Sequence, residues 1–328
     1  MSDSATRNSA IAPVQSHTGH EPLAFGVPAR HPAAPVRPGR YPVALAGPHR
    51  QTVAMQAAGI RSRFEATGVV RLPGALAADQ VAAMREAVWR HAEGQAGLRP
   101  RDPGSWAGSP TVNWQGLKRD PAFRSLASGH LVSDALDVIF GAGAWLRPRP
   151  GGQILFSLPE PGPWVLPDGW HMDCGFEHPA WPVRAVKLFA FLGEVGSQGG
   201  GTMLLPGTHR LVERYREGFP APPGAGQENW RPFMGHHPWL ARLLDGASLP
   251  GHGRPLVGTA GQIDGVPVQV TELTGSPGDL VITHQHVFHA RSPNTTAVPR
   301  LMLAKEIHRA DPRSGPPGQA RMDRTPKR

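Results

Sequence analysis

Trp170-His171-Met172-Asp173 is the stretch that most narrows what this chain can become. Side chains of an extended strand alternate between its faces, so His171 and Asp173 point the same way and can grip one ion together. A second histidine from elsewhere would complete a 2-His-1-carboxylate triad, which leaves coordination positions open for substrates and dioxygen and is typical of non-haem Fe(II) oxygenases. Taken alone, a His-x-Asp pair is more often simply two polar residues on a strand or loop.

Three further stretches change that balance. They are Gly200-Gly201-Thr202-Met203-Leu204-Leu205-Pro206-Gly207-Thr208-His209, Gly278-Asp279-Leu280-Val281-Ile282, and Val287-Phe288-His289-Ala290-Arg291-Ser292-Pro293-Asn294 closing with Pro299-Arg300. In combination and order they resemble the phytanoyl-CoA dioxygenase family of Fe(II)/2-oxoglutarate oxygenases, from about Gly68 to Ile307.

The resemblance implies that His171, Asp173 and His289 are the metal ligands and catalytic centre. It implies that Arg300 pairs with the far carboxylate of 2-oxoglutarate, a task suited to a planar guanidinium that donates two parallel hydrogen bonds. The eleven-residue step from His289 to Arg300 puts them on opposite faces of a straight strand. A turn at Ser292-Pro293-Asn294 and Pro299 breaks that parity. The implied fold is mainly β, a double-stranded β-helix or jelly-roll barrel with flanking α-helices. The implied reaction uses Fe(II), 2-oxoglutarate and O2. It decarboxylates the oxo acid to succinate and hydroxylates an unactivated C–H bond of a small organic substrate. Related halogenases replace the carboxylate ligand with a small residue; Asp173 is present here, in favour of hydroxylation.

The formal charge of +9 suggests nucleic acid until it is located. Residues 1–50 carry +3 and residues 308–328 carry +4, which leaves +2 for everything between. The core therefore lacks the basic stripe that phosphate binding needs, and nucleic acid is not an expected partner. With 40 glycines and 37 prolines the chain is loop-rich, which suits a β-barrel with long connections better than a helical bundle. Cys174 is the only cysteine, so no intrachain disulfide is possible and a reducing cytoplasm is the expected home. Beside Asp173 it reads as a passive small residue. No apolar run is long enough for a spanning helix, and no membrane is expected.

Residues 1–50, rich in Pro, Ala, His and Arg without periodicity, read as a disordered tail, and 308–328 as a basic C-terminal tail. Order is expected from about Ile60, in one oxygenase domain spanning 51–307. Gly68–Pro73 reads as a strand, Ala77–His91 as a helix, and Pro121–Phe140 as a second helix burying Leu126, Leu131, Leu136 and Ile139. Gln153 opens a strand; in the family a polar residue near this position touches 2-oxoglutarate, and an ordinary strand residue is the other reading. Thr202 is a second candidate for the cosubstrate pocket, against a simple packing role. Lys187 interrupts the apolar run Ala185–Val195. It either faces the cavity and meets an anion or, the reading favoured here, sits at an exposed edge.

The stretch 211–261 departs from strand patterning and reads as a structureless insertion, a lid or substrate loop. His236 and His237 within it read as surface residues. His284, His286 and His289 crowd one strand, with His284 and His286 on the face opposite His289. The family pattern selects His289 as the ligand and leaves the other two as residues that pack or that support the ligands from behind. Two alternatives stay open: a zinc-dependent hydrolase, since His, His and Asp also suit zinc, and a non-catalytic binding protein on the same barrel. Substrate identity and oligomeric state are not specified by the sequence.

Overall fold

Three helices precede all the barrel strands but the first, and their ends follow from local chemistry. The computed structural model describes residues 48–310 apart from 109, 125, 128 and 219–229. The two predicted tails thus lie outside the described residues, except Pro48–Arg50 and His308–Ala310. Helix α1 (Pro48–Thr67) has no marked apolar stripe and is not expected from the pattern; it ends at Gly68, whose φ of +71° no β-carbon-bearing residue adopts easily. Strand β1 (Val69–Leu72) follows. Helix α2 (Ala78–Ala96) buries Val81, Met84, Ala87, Val88 and Ala92 at helical spacing and stops at the left-handed Gly97.

The predicted helix 121–140 is corrected. Pro121–Phe123 is one 3-10 turn capped by Asp120, and helix α3 begins only at His130, after the extended Gly129. Leu126, Leu136 and Ile139 are buried as expected, but Leu131 is 39% exposed, because the shortened helix turns it away from the core.

The barrel consists of two sheets. The larger contains, in spatial order, β1, β8 (Leu280–His284), β3 (Ala185–Phe191), β10 (Arg300–His308) and β2 (Gln153–Ser157), every pair antiparallel. The smaller contains β7 (Thr271–Glu272), β4 (Met203–Leu205) and β9 (Phe288–Ala290). Alternation sorts the side chains. Val186, Leu188, Ala190, Ile282, Leu301 and Leu303 face α1, α2 and α3, whereas Phe189, Phe191, Val281, Met302 and Ala304 face Leu204, Leu273 and Val287 of the smaller sheet across the barrel interior. This is the predicted double-stranded β-helix with flanking helices.

The stretch 211–261 is corrected as well: its described residues are largely helical. It begins inside α4 (Thr208–Gly218) and continues through α5 (Trp230–His236), α6 (Pro238–Ala241) and two 3-10 segments, before the hairpin of β5 (Ala260–Ile263) and β6 (Val266–Gln269). Leu211, Phe233, Met234, Leu240 and Leu243 pack on Met203, Leu205, Phe288 and Ala290, the outer face of the smaller sheet. The insertion therefore backs the barrel, where the sequence reading expected a lid. His236 is exposed and His237 half-buried. Among the described residues no helix is long and apolar enough to cross a membrane.

Candidate metal centre

His171 adds one rung to the smaller sheet. Its backbone N–H donates to the His289 carbonyl at 2.9 Å, and the His289 N–H returns a bond to the His171 carbonyl at 2.8 Å. This pair fixes the two residues side by side, with ring centroids 4.3 Å apart. The alternation expected for the His-x-Asp segment holds: Trp170 and Met172 are fully buried against the insertion, while His171 and Asp173 turn the other way. The Trp170 indole donates to the Leu243 carbonyl at 3.2 Å, and the Leu166 N–H to the His252 carbonyl at 2.9 Å, so the insertion grips the ligand-bearing segment from behind.

Both histidine rings are oriented in the same manner. His171 Nδ1 lies 3.0 Å from the Gly169 carbonyl and His289 Nδ1 lies 3.1 Å from the Val287 carbonyl. A carbonyl only accepts, so each Nδ1 carries a proton, which leaves Nε2 as the ring position that can meet a metal. Tying one ring nitrogen down to leave the other as a donor atom is how metal-binding histidines are held. His289 Nε2 is 3.6 Å from Asp173 Oδ1. Burial, partly opposed by the Asp173 charge, pushes the His289 ring below its ordinary value and keeps it neutral, as a ligand must be.

Lys187 is the correction that matters most here. Strand β3 lies between β8 and β10, so Lys187 is not at an edge, and its ammonium enters the barrel. Nζ lies 2.6 Å from Asp173 Oδ1 and 3.5 Å from His289 Nε2. The described residues contain no three ligating side chains already gathered around one point. Instead, an ammonium rests against two of the three proposed ligands. Two imidazoles and a carboxylate, arranged around a spot that already attracts a cation, fit Fe(II).

Arg300 opens β10 on the interior face shared by Met302 and Ala304. The intervening loop lets the chain change sheets between β9 and β10, which removes the parity conflict with His289. One guanidinium nitrogen donates to the Gly200 carbonyl, and Ser292 Oγ donates to the Gly201 carbonyl at 2.7 Å. The glycine turn has to come this close: a β-carbon on Gly201 would lie 2.0 Å from the Leu273 carbonyl oxygen. Arg300 Nε is buried with no partner, and so is Ser157 Oγ on the residue paired with it across the strands. Burial, with a smaller contribution from Arg291, holds the guanidinium down to about 10, so it stays charged at neutral pH. Two unsatisfied buried donors facing one another across a ladder suit a carboxylate.

Gln153 is exposed and lines two cavities, one of about 770 Å³ with Asp173 and Lys187, the other of about 670 Å³ with Ser157 and Arg300. Thr202, 5% exposed, stands one alternation before the interior-facing Leu204. Cys174 is passive as expected: burial, then the Glu177 charge, push its thiol up to about 11. His284 and His286 lie outside the barrel with His209, as packing residues. Ser157 escaped the sequence reading; its only signal is the register opposite Arg300, which exists once β2 and β10 pair.

Several known structures share features of this chain. The non-heme alpha ketoglutarate dependent epimerase SnoN from nogalamycin biosynthesis is 18% identical, with 78% of this chain and 84% of that chain covered and a TM-score of 0.47. EctD from S. alaskensis with 2-oxoglutarate and 5-hydroxyectoine is 18% identical over 78% of this chain and 76% of that one, with a TM-score of 0.44. AviO1 from Streptomyces viridochromogenes Tue57 is 19% identical over 79% and 97%, at 0.46. A comparison with curated proteins gave no match. The family model described as Phytanoyl-CoA dioxygenase (PhyH) matches residues 64–302, which include every residue assigned to the site. The chain belongs to the phytanoyl-CoA dioxygenase family, and with it to the oxygenases that use Fe(II) and 2-oxoglutarate.

Proposed function

We propose that this protein hydroxylates an unactivated C–H bond of a small organic molecule in the cytoplasm. One oxygen atom of O2 goes to the substrate as a hydroxyl. The other goes to 2-oxoglutarate, which leaves as succinate and carbon dioxide. The observation that carries this reading is the pairing of two features in one barrel. Two Nδ1-anchored histidines stand with Asp173, and a buried Arg300 faces Ser157 with donors to spare.

His171, Asp173 and His289 would hold Fe(II), which when bound supplies the redox chemistry that activates O2. Arg300 and Ser157 would receive the far carboxylate of the cosubstrate, and Gln153 and Thr202 would flank it. Retention of Asp173 as a ligand favours hydroxylation over halogenation. Phe189, Phe191, Val281 and Met302 make the interior apolar and exclude water from the reacting face. The substrate would enter through the cavity of about 770 Å³ that reaches Asp173.

The test is an anaerobic Fe(II) titration with 2-oxoglutarate, watched for the visible charge-transfer band of a chelated oxo acid. The band should appear in the wild type and need far more cosubstrate in Arg300→Ala. No band, together with tight retention of zinc, would overturn the reading in favour of a hydrolase.

A further inference from the structure

Five charged residues line the cavity in front of the proposed metal centre: Lys118, Asp173, Lys187, Lys305 and Glu306. Asp173 and Lys187 neutralise each other at 2.6 Å. The Glu306 carboxylate turns to His308, 3.4 Å from Nε2, and is outnumbered by the two remaining lysines, so the cavity keeps a net positive charge. Lys118 and Lys305 are left over, and among the described residues neither has an acidic partner.

The fold brings these two lysines together through Gly151-Gly152. A β-carbon on Gly151 would lie 2.5 Å from the Lys118 carbonyl oxygen, and one on Gly152 would lie 2.7 Å from the Ala304 carbonyl oxygen. The glycine pair thus lets the turn bearing Lys118 approach β10 beside Lys305. The two charges feel each other: burial first, then the Lys118 charge, lower the Lys305 ammonium from its ordinary value. Like charges held at one cavity mouth destabilise the fold by mutual repulsion, and a bound anion removes that cost.

The cosubstrate does not supply this anion. Lys305 is five residues from Arg300 on the same extended strand, or about 17 Å. A five-carbon diacid reaching from the metal ligands to Arg300 cannot also span that distance. Beside the lysines, Trp114, tilted against Phe156 with ring centroids 5.3 Å apart, offers a flat apolar wall.

Building on the oxygenase reading, we propose that the primary substrate carries a carboxylate or phosphate group, which Lys118 and Lys305 receive at the cavity mouth while its apolar body lies along Trp114. Ammonium groups act as point charges and accept either anion, without the planar matching that arginine demands.

The experiment is calorimetric titration of the anaerobic Fe(II)- and 2-oxoglutarate-loaded protein with phenyl phosphate and, separately, benzoate. At least one probe should bind wild type, and the stronger binder identifies the anion. Affinity should fall about tenfold in each of Lys118→Gln and Lys305→Gln and return in Lys118→Arg and Lys305→Arg. The cosubstrate band should be unchanged throughout. If neither probe binds wild type, or both Gln variants bind like wild type, the proposal is overturned. Loss of the band with probe binding intact would instead overturn the oxygenase reading and leave the anion site standing.

Discussion

Lys187 Nζ lies 2.6 Å from Asp173 Oδ1, so the carboxylate proposed to hold iron is already paired with a cation from the opposite sheet. A divalent ion and this ammonium compete for one carboxylate. Lys187→Met should therefore tighten Mn(II) binding by about tenfold while it lowers the stability of the metal-free protein by about 1 kcal/mol, a modest figure because the pair is partly solvated. Metal titration followed by urea unfolding checks both; unchanged metal affinity would mean that the ammonium does not compete.

Arg300 is buried and its Nε has no partner, which predicts a specific loss on substitution. Arg300→Lys should weaken 2-oxoglutarate binding almost as much as Arg300→Ala, on the order of a hundredfold, since an ammonium cannot reproduce a two-pronged contact. Metal affinity should stay as in wild type. An Arg300→Lys variant with normal cosubstrate affinity would remove this residue from the site.

The local parts of the site were legible in the sequence. Alternation alone placed His171 and Asp173 on one face, and the resemblance added His289 and Arg300. Lys187 was misplaced because an apolar run with one lysine reads the same at an edge as in the middle of a sheet. Its neighbours β8 and β10 lie about a hundred residues away in the chain. The insertion misled for a related reason. Its prolines and glycines hid short helices whose apolar faces find partners only on Met203, Leu205 and Phe288. Ser157 is an ordinary strand serine until β10 sets Arg300 opposite it.

Because the Trp170 indole bonds the Leu243 carbonyl, the insertion would act on a metal held by His171 through the segment that carries this residue. Trp170→Phe puts a smaller ring in this buried position and loses that bond, and should cost about 2–3 kcal/mol of stability. Metal affinity should fall severalfold as His171 loosens, with 2-oxoglutarate affinity of the metal-saturated protein unchanged. Equal metal affinity in the two proteins would mean that the insertion backs the barrel without positioning the ligand.

Outside the barrel, His284 lies between His209 and His286, with ring centroids 5.0 Å and 5.4 Å apart. Burial first, then mutual repulsion for His209 and His286, push these two down to about 3, and burial takes His284 to about 4. Their ordinary value in an unfolded chain is about 6.5. The unfolded state therefore binds more protons between these limits, and stability rises with pH across them. The contribution is complete above about pH 6.5 and is lost as pH falls towards 4, on the order of 1 kcal/mol per pH unit for each ring. Urea unfolding of the metal-free protein at steps from pH 7.5 to 5 should show a plateau and then a steep decline. A flat profile below pH 6.5 would mean that the three rings are hydrated and not sealed in the core.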